Sequence, residues 1–97
     1  METMIIGGLE IMKHDLGAMN WEKATKACSD LNDGWRLPTK DELNMLFESK
    51  LGNFCDFYYW SSTSDKVDTA WYQHFPKGFQ INGTKLYTFS VRAVRSI

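Results

Sequence analysis

Apolar residues recur every three to four positions in two stretches of the chain, which indicates two helices. Asn20 can cap the first helix, which we predict over about Trp21 to Leu31. Thr39 and Glu42 match a T-x-x-E capping box, in which the hydroxyl accepts from one backbone amide and the glutamate from another. The run "LPTKDEL" therefore predicts the start of a second helix. Its apolar stripe consists of Leu43, Leu46 and Phe47.

The opening and the second half of the chain show the period of two that is typical of strands. "TMIIGGLEIMK" predicts an opening strand or hairpin broken at Gly7-Gly8. "FYYWSS" (57–62), "TAWYQHF" (69–75), "FQI" and "LYTFSVRAVR" predict the later strands, with turns at "PKG" and at Asn82-Gly83, a type I′ hairpin signal. Two helices followed by an antiparallel meander predict an α+β fold.

The last strand alternates in a way that favours one buried and one solvated face. Its two sets of side chains are Tyr87, Phe89, Val91 and Ala93 on the buried face, and Thr88, Ser90 and Arg92 on the solvated one.

Trp35 and Leu37 alternate around Arg36, as in a short extended segment that buries both apolar side chains. The guanidinium is left to pair with a carboxylate or carbonyls. We interpret Arg36 as a structural tie and not as a catalytic group.

Length and charge narrow the classes of function. The 97 residues allow one domain, 1–97, and the 43% apolar content is enough for a core. The net charge of −1 and the scattered basic residues argue against nucleic acid as a partner. Neither a membrane-spanning run nor a signal peptide is visible, so we expect no membrane insertion. A virion component, a cytoplasmic protein and an excised module of a secreted chain all fit this pattern.

Metal and redox chemistry find little support. Cys28 and Cys55 lack the spacing of a zinc site, and they are either two free thiols or one disulfide. His14-Asp15 is more typical of a turn than of a metal pair. We predict no metal and no cofactor.

No catalytic constellation can be assembled from the residues available. The only histidines are His14 and His74, and the "SSTS" run near Asp65 and Asp68 lacks the spacing of a nucleophile elbow. We interpret that run as a hydroxyl-rich loop and predict that the protein is not an enzyme.

The pieces "NWEKATKACSDL", "GWRLPTKDELNML", "YWSST", "AWYQHFPKG" and "YTFSVRAVR" stand in an order and spacing that resemble the Lcl C-terminal domain family. This family has a C-type-lectin-like fold and is distantly similar to the formylglycine-generating enzymes. The resemblance implies two helices packed on a twisted antiparallel sheet, with the first and last strands close together. It also implies an adhesin-type binding role.

Two departures from the related families limit what the resemblance implies. The Glu-Pro-Asn-like and Trp-Asn-Asp motifs of calcium-dependent lectins are missing: the only prolines follow Leu37 and Phe75, and no tryptophan is followed by asparagine. The formylglycine-generating enzymes need a late cysteine pair, and no cysteine follows Cys55.

A binding surface is the remaining candidate site. If Trp71 and Phe75 point into the core, the alternation turns their strand neighbours outward, where rings and hydrogen-bonding groups would suit a sugar. An ordinary solvated sheet face fits the same pattern. The residues that we expect on this surface are Tyr72, His74, Gln80, Ser64, Asp65 and Asp68.

Two hypotheses of different classes follow. The first is a calcium-independent module that binds glycans or a host-surface polymer, in an adhesin or phage receptor-type role. The second is a structural or assembly component of a phage or other particle, which acts through protein partners or as a homo-oligomer. Exposed aromatics clustered in one patch favour the first, and a broad flat apolar patch favours the second.

Overall fold

The computed structural model describes residues 2–97, which form two helices and eight strands. Met1, the first residue of the predicted domain, lies outside the described residues. The helices are α1 (Trp21–Ser29) and α2 (Lys40–Ser49). The strands are β1 (Thr3–Ile6), β2 (Leu9–Met12), β3 (Gly17–Met19), β4 (Tyr58–Trp60), β5 (Thr69–His74), β6 (Gln80–Thr84), β7 (Phe89–Val91) and β8 (Val94–Ser96).

Both helices begin where the sequence predicts. The Asn20 side chain accepts from the third residue of α1, and Thr39 and Glu42 complete the capping box of α2. Helix α1 ends at Ser29, two residues before the predicted end, and Asn32 already has a left-handed φ of 60°. The capping residues therefore predicted the starts of both helices more accurately than the apolar periodicity predicted the end of α1.

Arg36 is a structural tie, as predicted. Its guanidinium donates from Nη1 to Glu42 Oε1 at 2.7 Å and from Nη2 to Glu42 Oε2 at 2.9 Å. A further hydrogen bond from Nη2 reaches Ser96 Oγ at 3.0 Å. One side chain thereby links the entrance of α2 to the last strand.

The hydrogen bonds from Arg36, followed by those from Thr39, hold the pKa of Glu42 below its usual range. A carboxyl whose folded-state pKa is lowered stabilises the fold above its unfolded pKa, and that stability is lost as pH falls through the folded value. We expect Glu42→Gln to lower stability at neutral pH and to flatten the loss of stability below about pH 5. Urea unfolding across pH checks this, with the exposed Glu22→Gln as control. Equal pH slopes for Glu42→Gln and the unsubstituted protein would contradict it.

The first sheet joins the two ends of the described chain. Strands β1 and β2 form the predicted hairpin through Gly7-Gly8, and β8 pairs antiparallel with β2 to give the order β1-β2-β8. The closeness of the first and last strands that the family resemblance implies is therefore confirmed.

The second sheet has the order β3-β7-β4-β5-β6 and differs from the predicted meander. Strand β7 does not lie beside β6. It returns to the middle of the sheet, where it pairs antiparallel with β3 and parallel with β4. Ser90 and Arg92 are buried, so the predicted solvated face is wrong at these two positions, whereas Thr88 is exposed as predicted. Tyr87, predicted on the buried face, is 48% exposed.

The predicted turn at Asn82-Gly83 is also wrong. Both residues lie within β6, opposite Trp71 and Ala70 of β5. The chain turns after β6 instead, at 85–86, while the other predicted signal, "PKG", matches the turn at 75–77. Gly83 serves a different purpose, because a Cβ there would lie 2.9 Å from the Tyr72 ring and 3.2 Å from the Tyr87 ring.

Both cysteines are free thiols in this structure. Cys28 lies on α1 and is buried in the main apolar core, where burial raises its pKa to about 12. Cys55 is exposed on the segment between α2 and β4. The structure thus favours two thiols over the disulfide that the sequence left open.

A buried arginine forms a polar centre that the sequence did not reveal. Arg92 is 2% exposed and contacts Asp15 through an ion pair of 2.7 Å. Its guanidinium also donates to the carbonyls of Met12, Gly52 and Asn53. The Arg92 side chain therefore connects the end of the chain to residues 12–15 and to residues 52–53.

Candidate functional site

Strand β5 does not have the buried surface and the solvated surface that the sequence predicts. Tyr72, expected to point outward, is only 8% exposed and belongs to the main apolar core. Trp71, expected in the core, is half-buried. The prediction that Tyr72 is a solvent-facing residue is therefore wrong.

The reason is that both surfaces of β5 are covered. On one surface α2 lies close, so Gln73 is fully buried and its amide donates to Asn44 Oδ1 and to the carbonyl of Gly78. On the other surface Tyr72 packs beside Trp60 and Phe89. Alternation alone cannot tell which set of side chains is the more buried when both are covered.

An aromatic cluster spans β6, β5, β4 and β7 on the surface that carries Tyr72. We call it the aromatic face. Its rings lie in edge-to-face, tilted or stacked contact, with centroids from 4.3 to 6.2 Å apart. The members are Phe57, Tyr58, Tyr72, His74, Phe79, Tyr87 and Phe89.

Three rings of the aromatic face are open to solvent. Phe57 is 41% exposed, Phe79 is 46% exposed and Tyr87 is 48% exposed. Phe89 and Tyr72 beneath them are each 8% exposed and provide a packed floor. Because adjacent strands lie about 4.8 Å apart, a surface across four strands is about 15 Å wide. This surface is wide enough for more than one sugar ring.

The aromatic face also carries unused polar groups. No hydrogen bond joins the hydroxyls of Tyr58, Tyr72 and Tyr87 to residues 2–97, and none of the three is sealed from solvent. Burial first, and then the neighbouring Tyr87 and Tyr58, raise the pKa of Tyr72. The Tyr72 phenol therefore stays neutral at physiological pH, and the hydroxyls of all three tyrosines can donate to and accept from a ligand.

His74 is held in a defined orientation at the edge of the aromatic face. Its ring stacks on Phe79 with centroids 4.4 Å apart and planes 8° from parallel. The backbone N–H of Lys77 donates to Nδ1 at 3.2 Å. In the neutral ring the proton therefore sits on Nε2, which becomes a donor toward the surface.

Gly83 makes the close packing of Tyr72 and Tyr87 possible. The two rings approach the backbone of β6 so closely that any Cβ at this position would meet both. A glycine in the middle of a strand often marks such an approach. The same residue that suggested a hairpin turn thus lies against two rings of the aromatic face.

The other predicted site residues do not join the aromatic face. Gln80 points toward α2, where its amide donates to the carbonyl of Lys40 and to Gln73 Oε1. Ser64 donates within its own loop, to the carbonyls of Lys66 and Thr69.

Two acidic residues of the same loop complete the predicted set. The Asp65 carboxylate accepts from the indole of Trp71 at 3.0 Å, and the Asp68 carbonyl accepts from the backbone of Lys85 at 3.0 Å. The prediction that the six residues share one surface is wrong, and only Tyr72 and His74 come together.

Five members of the aromatic face were not among the predicted site residues, and one of them, Tyr58, opens β4. Phe57 and Phe79 lie one residue before β4 and β6, and Tyr87 lies two residues before β7. Phe89 opens β7, whose central position could not be foreseen. The available signal was the high aromatic content at strand starts.

Within residues 2–97, no three His, Cys, Asp or Glu side chains are grouped to hold a metal ion. Neither helix of the described chain has the length and apolar character to cross a membrane.

The sequence model of the Lcl C-terminal domain matches residues 8–95, which includes the whole aromatic face. The chain belongs to the Lcl C-terminal domain family. This confirms the resemblance inferred from the order of the sequence motifs. No curated protein matches the sequence of this family member.

Structural comparison gives the same fold. The crystal structure of botrocetin matches this Lcl C-terminal domain with a TM-score of 0.65 at 17% identity, over 97% of this chain and 95% of that one. The α+β, C-type-lectin-like fold is therefore confirmed.

Proposed function

We propose that this protein is a calcium-independent module that binds glycans through the aromatic face. The single observation that supports this most strongly is the cluster of exposed rings beside unused phenol hydroxyls. An enzymatic role has no comparable support from the residues of the site.

A pyranose ring has an apolar C–H surface and a fringe of hydroxyls. Exposed Phe79 and Tyr87 offer flat apolar surfaces for the first. The hydroxyls of Tyr58 and Tyr72, with Nε2–H of His74, offer donors and acceptors for the second. Because these rings already pack against one another, little conformational entropy would be lost on binding.

Calcium independence is part of the proposal because the calcium motifs of the related lectins are missing from the sequence. The aromatic face would instead bind through stacking and neutral hydrogen bonds. In an adhesin or phage receptor-type role, this surface would contact a polymer on the host cell.

The experiment is a screen of the purified protein against immobilised glycans, mucin and sulfated polysaccharides, with calcium and with chelator. We expect binding that the chelator leaves unchanged. Tyr87→Ala and Phe79→Ala should each weaken it about tenfold, because truncation removes an exposed ring from the contact. Ile5→Ala, an exposed apolar residue of the other sheet, should have no effect.

Two outcomes would overturn the proposal. Binding that needs calcium would contradict the mechanism. If no glycan binds, the aromatic face is not a sugar site, and the assembly hypothesis, with protein partners or self-association, takes its place.

A further inference from the structure

A cavity lies away from the aromatic face, between the end of α2, the segment before β4 and the turn after β5. Its volume is about 390 Å³. This is within the range of about 300–1,000 Å³ that is typical of small-molecule sites. Polar groups make up most of its exposed wall, and the apolar side chains that share the wall include Leu46, Phe47, Phe54, Phe75 and Pro76.

The ring packing gives this wall a fixed shape. Phe54 and Phe75 stack with centroids 4.5 Å apart, and Phe47 meets Phe75 edge-on at 5.7 Å. The Arg92 guanidinium lies 4.4 Å from the centre of the Phe54 ring. Arg92 also holds the Gly52 carbonyl, so the buried arginine supports the segment that encloses the cavity.

Two opposite charges line the same cavity without being paired. Lys50 and Asp56 both belong to its wall, yet neither forms an ion pair with any residue of 2–97. The cavity therefore offers one cation and one anion beside an aromatic wall.

Lys50 occupies a backbone conformation that favours another residue. It ends α2 in the left-handed region, with φ 57° and ψ 20°. Glycine is the usual residue at this position because it has no Cβ to strain. A lysine in a left-handed cap beside a cavity is a reason to look for a function of its side chain.

We propose that this cavity binds a small zwitterion with an apolar body, such as a free α-amino acid with an aromatic or large aliphatic side chain. The apolar body lies against the phenylalanine wall. Lys50 receives the carboxylate, and Asp56 receives the ammonium group. This site goes beyond the proposed glycan binding and does not depend on it.

Cys55 provides the readout for a test. It is exposed and lines the cavity, whereas Cys28 is buried in the core. A thiol-reactive dye should therefore label Cys55 selectively. We expect phenylalanine to slow this labelling in a saturable way. Phenethylamine, which lacks the carboxylate, and 3-phenylpropionate, which lacks the ammonium group, should each bind about tenfold more weakly.

Substitutions test the charges of Lys50 and Asp56 in a protein that stays folded. Lys50→Gly should relieve the left-handed strain, so the protein stays folded and at least as stable, yet it should bind phenylalanine no better than phenethylamine. Asp56→Asn should remove the preference over 3-phenylpropionate. Lys23→Gln, on the exposed side of α1, serves as control. Two results would overturn the proposal: labelling that none of the three probes slows, or full phenylalanine affinity in Lys50→Gly. Glycan binding is scored separately, because Lys50 lies outside the aromatic face.

Discussion

Arg92→Leu is expected to lower the free energy of unfolding by about 3–5 kcal/mol, because it removes one partner of a buried ion pair. Asp15 would lose its cation, and the carbonyls of Met12, Gly52 and Asn53 would lose their donor. A domain of this size is stable by about 5–15 kcal/mol, so the variant would lie close to unfolding. Urea denaturation followed by tryptophan fluorescence measures the effect.

Asp15→Asn is the milder companion variant and keeps the measurement informative if Arg92→Leu does not fold. The asparagine can still accept from the Tyr59 hydroxyl, which lies 2.8 Å from the nearer carboxylate oxygen. We expect a loss of about 1–3 kcal/mol. The control is Lys26→Ala, which removes an exposed pair with Asp30 and should change stability by less than about 0.5 kcal/mol. A change below about 1 kcal/mol for Arg92→Leu would contradict the role assigned to this side chain.

Trp60→Ala is expected to lower the free energy of unfolding by about 3–5 kcal/mol, through a cavity beneath the aromatic face. Trp60 is fully buried and packs against Phe89, with ring centroids 4.9 Å apart, and against Tyr72 at 5.7 Å. Its indole donates to the Met19 carbonyl at 2.9 Å. The floor of the aromatic face would lose its support, so glycan binding should weaken together with stability.

Trp60→Phe separates the contribution of ring packing from that of the indole hydrogen bond. It keeps an aromatic ring in the core but leaves the Met19 carbonyl without its indole donor, so a smaller loss of about 1–3 kcal/mol is expected. Both variants are compared by urea unfolding and by binding of the glycan found in the screen. Unchanged stability of Trp60→Ala would contradict this account of the core.

Short sequence patterns predicted the parts of the fold that depend on neighbouring residues. The caps at Asn20 and Thr39 and the hairpin at Gly7-Gly8 each follow from a few adjacent residues, and the structure confirms them. The Arg36 tie to Glu42 is likewise a contact over six positions.

Features that depend on distant strand pairing could not be predicted in this way. Strand β7 lies between β3 and β4, and the buried Arg92 that follows it pairs with Asp15, which lies 77 positions away in sequence. The aromatic face has the same origin, since four strands contribute to it and only Tyr72 and His74 were anticipated. Both surfaces of β5 are covered, so the pattern of the strand could not show which side chains remain exposed.

The most direct test of the central claim is to map the glycan contact on the isotope-labelled protein by nuclear magnetic resonance, using the oligosaccharide that binds best in the screen. With chelator present, we expect the largest shifts at Tyr87, Phe79 and His74. Shifts confined to the loop from Ser64 to Asp68, or to the α2 side around Gln80, would contradict the claim that the aromatic face is the binding surface.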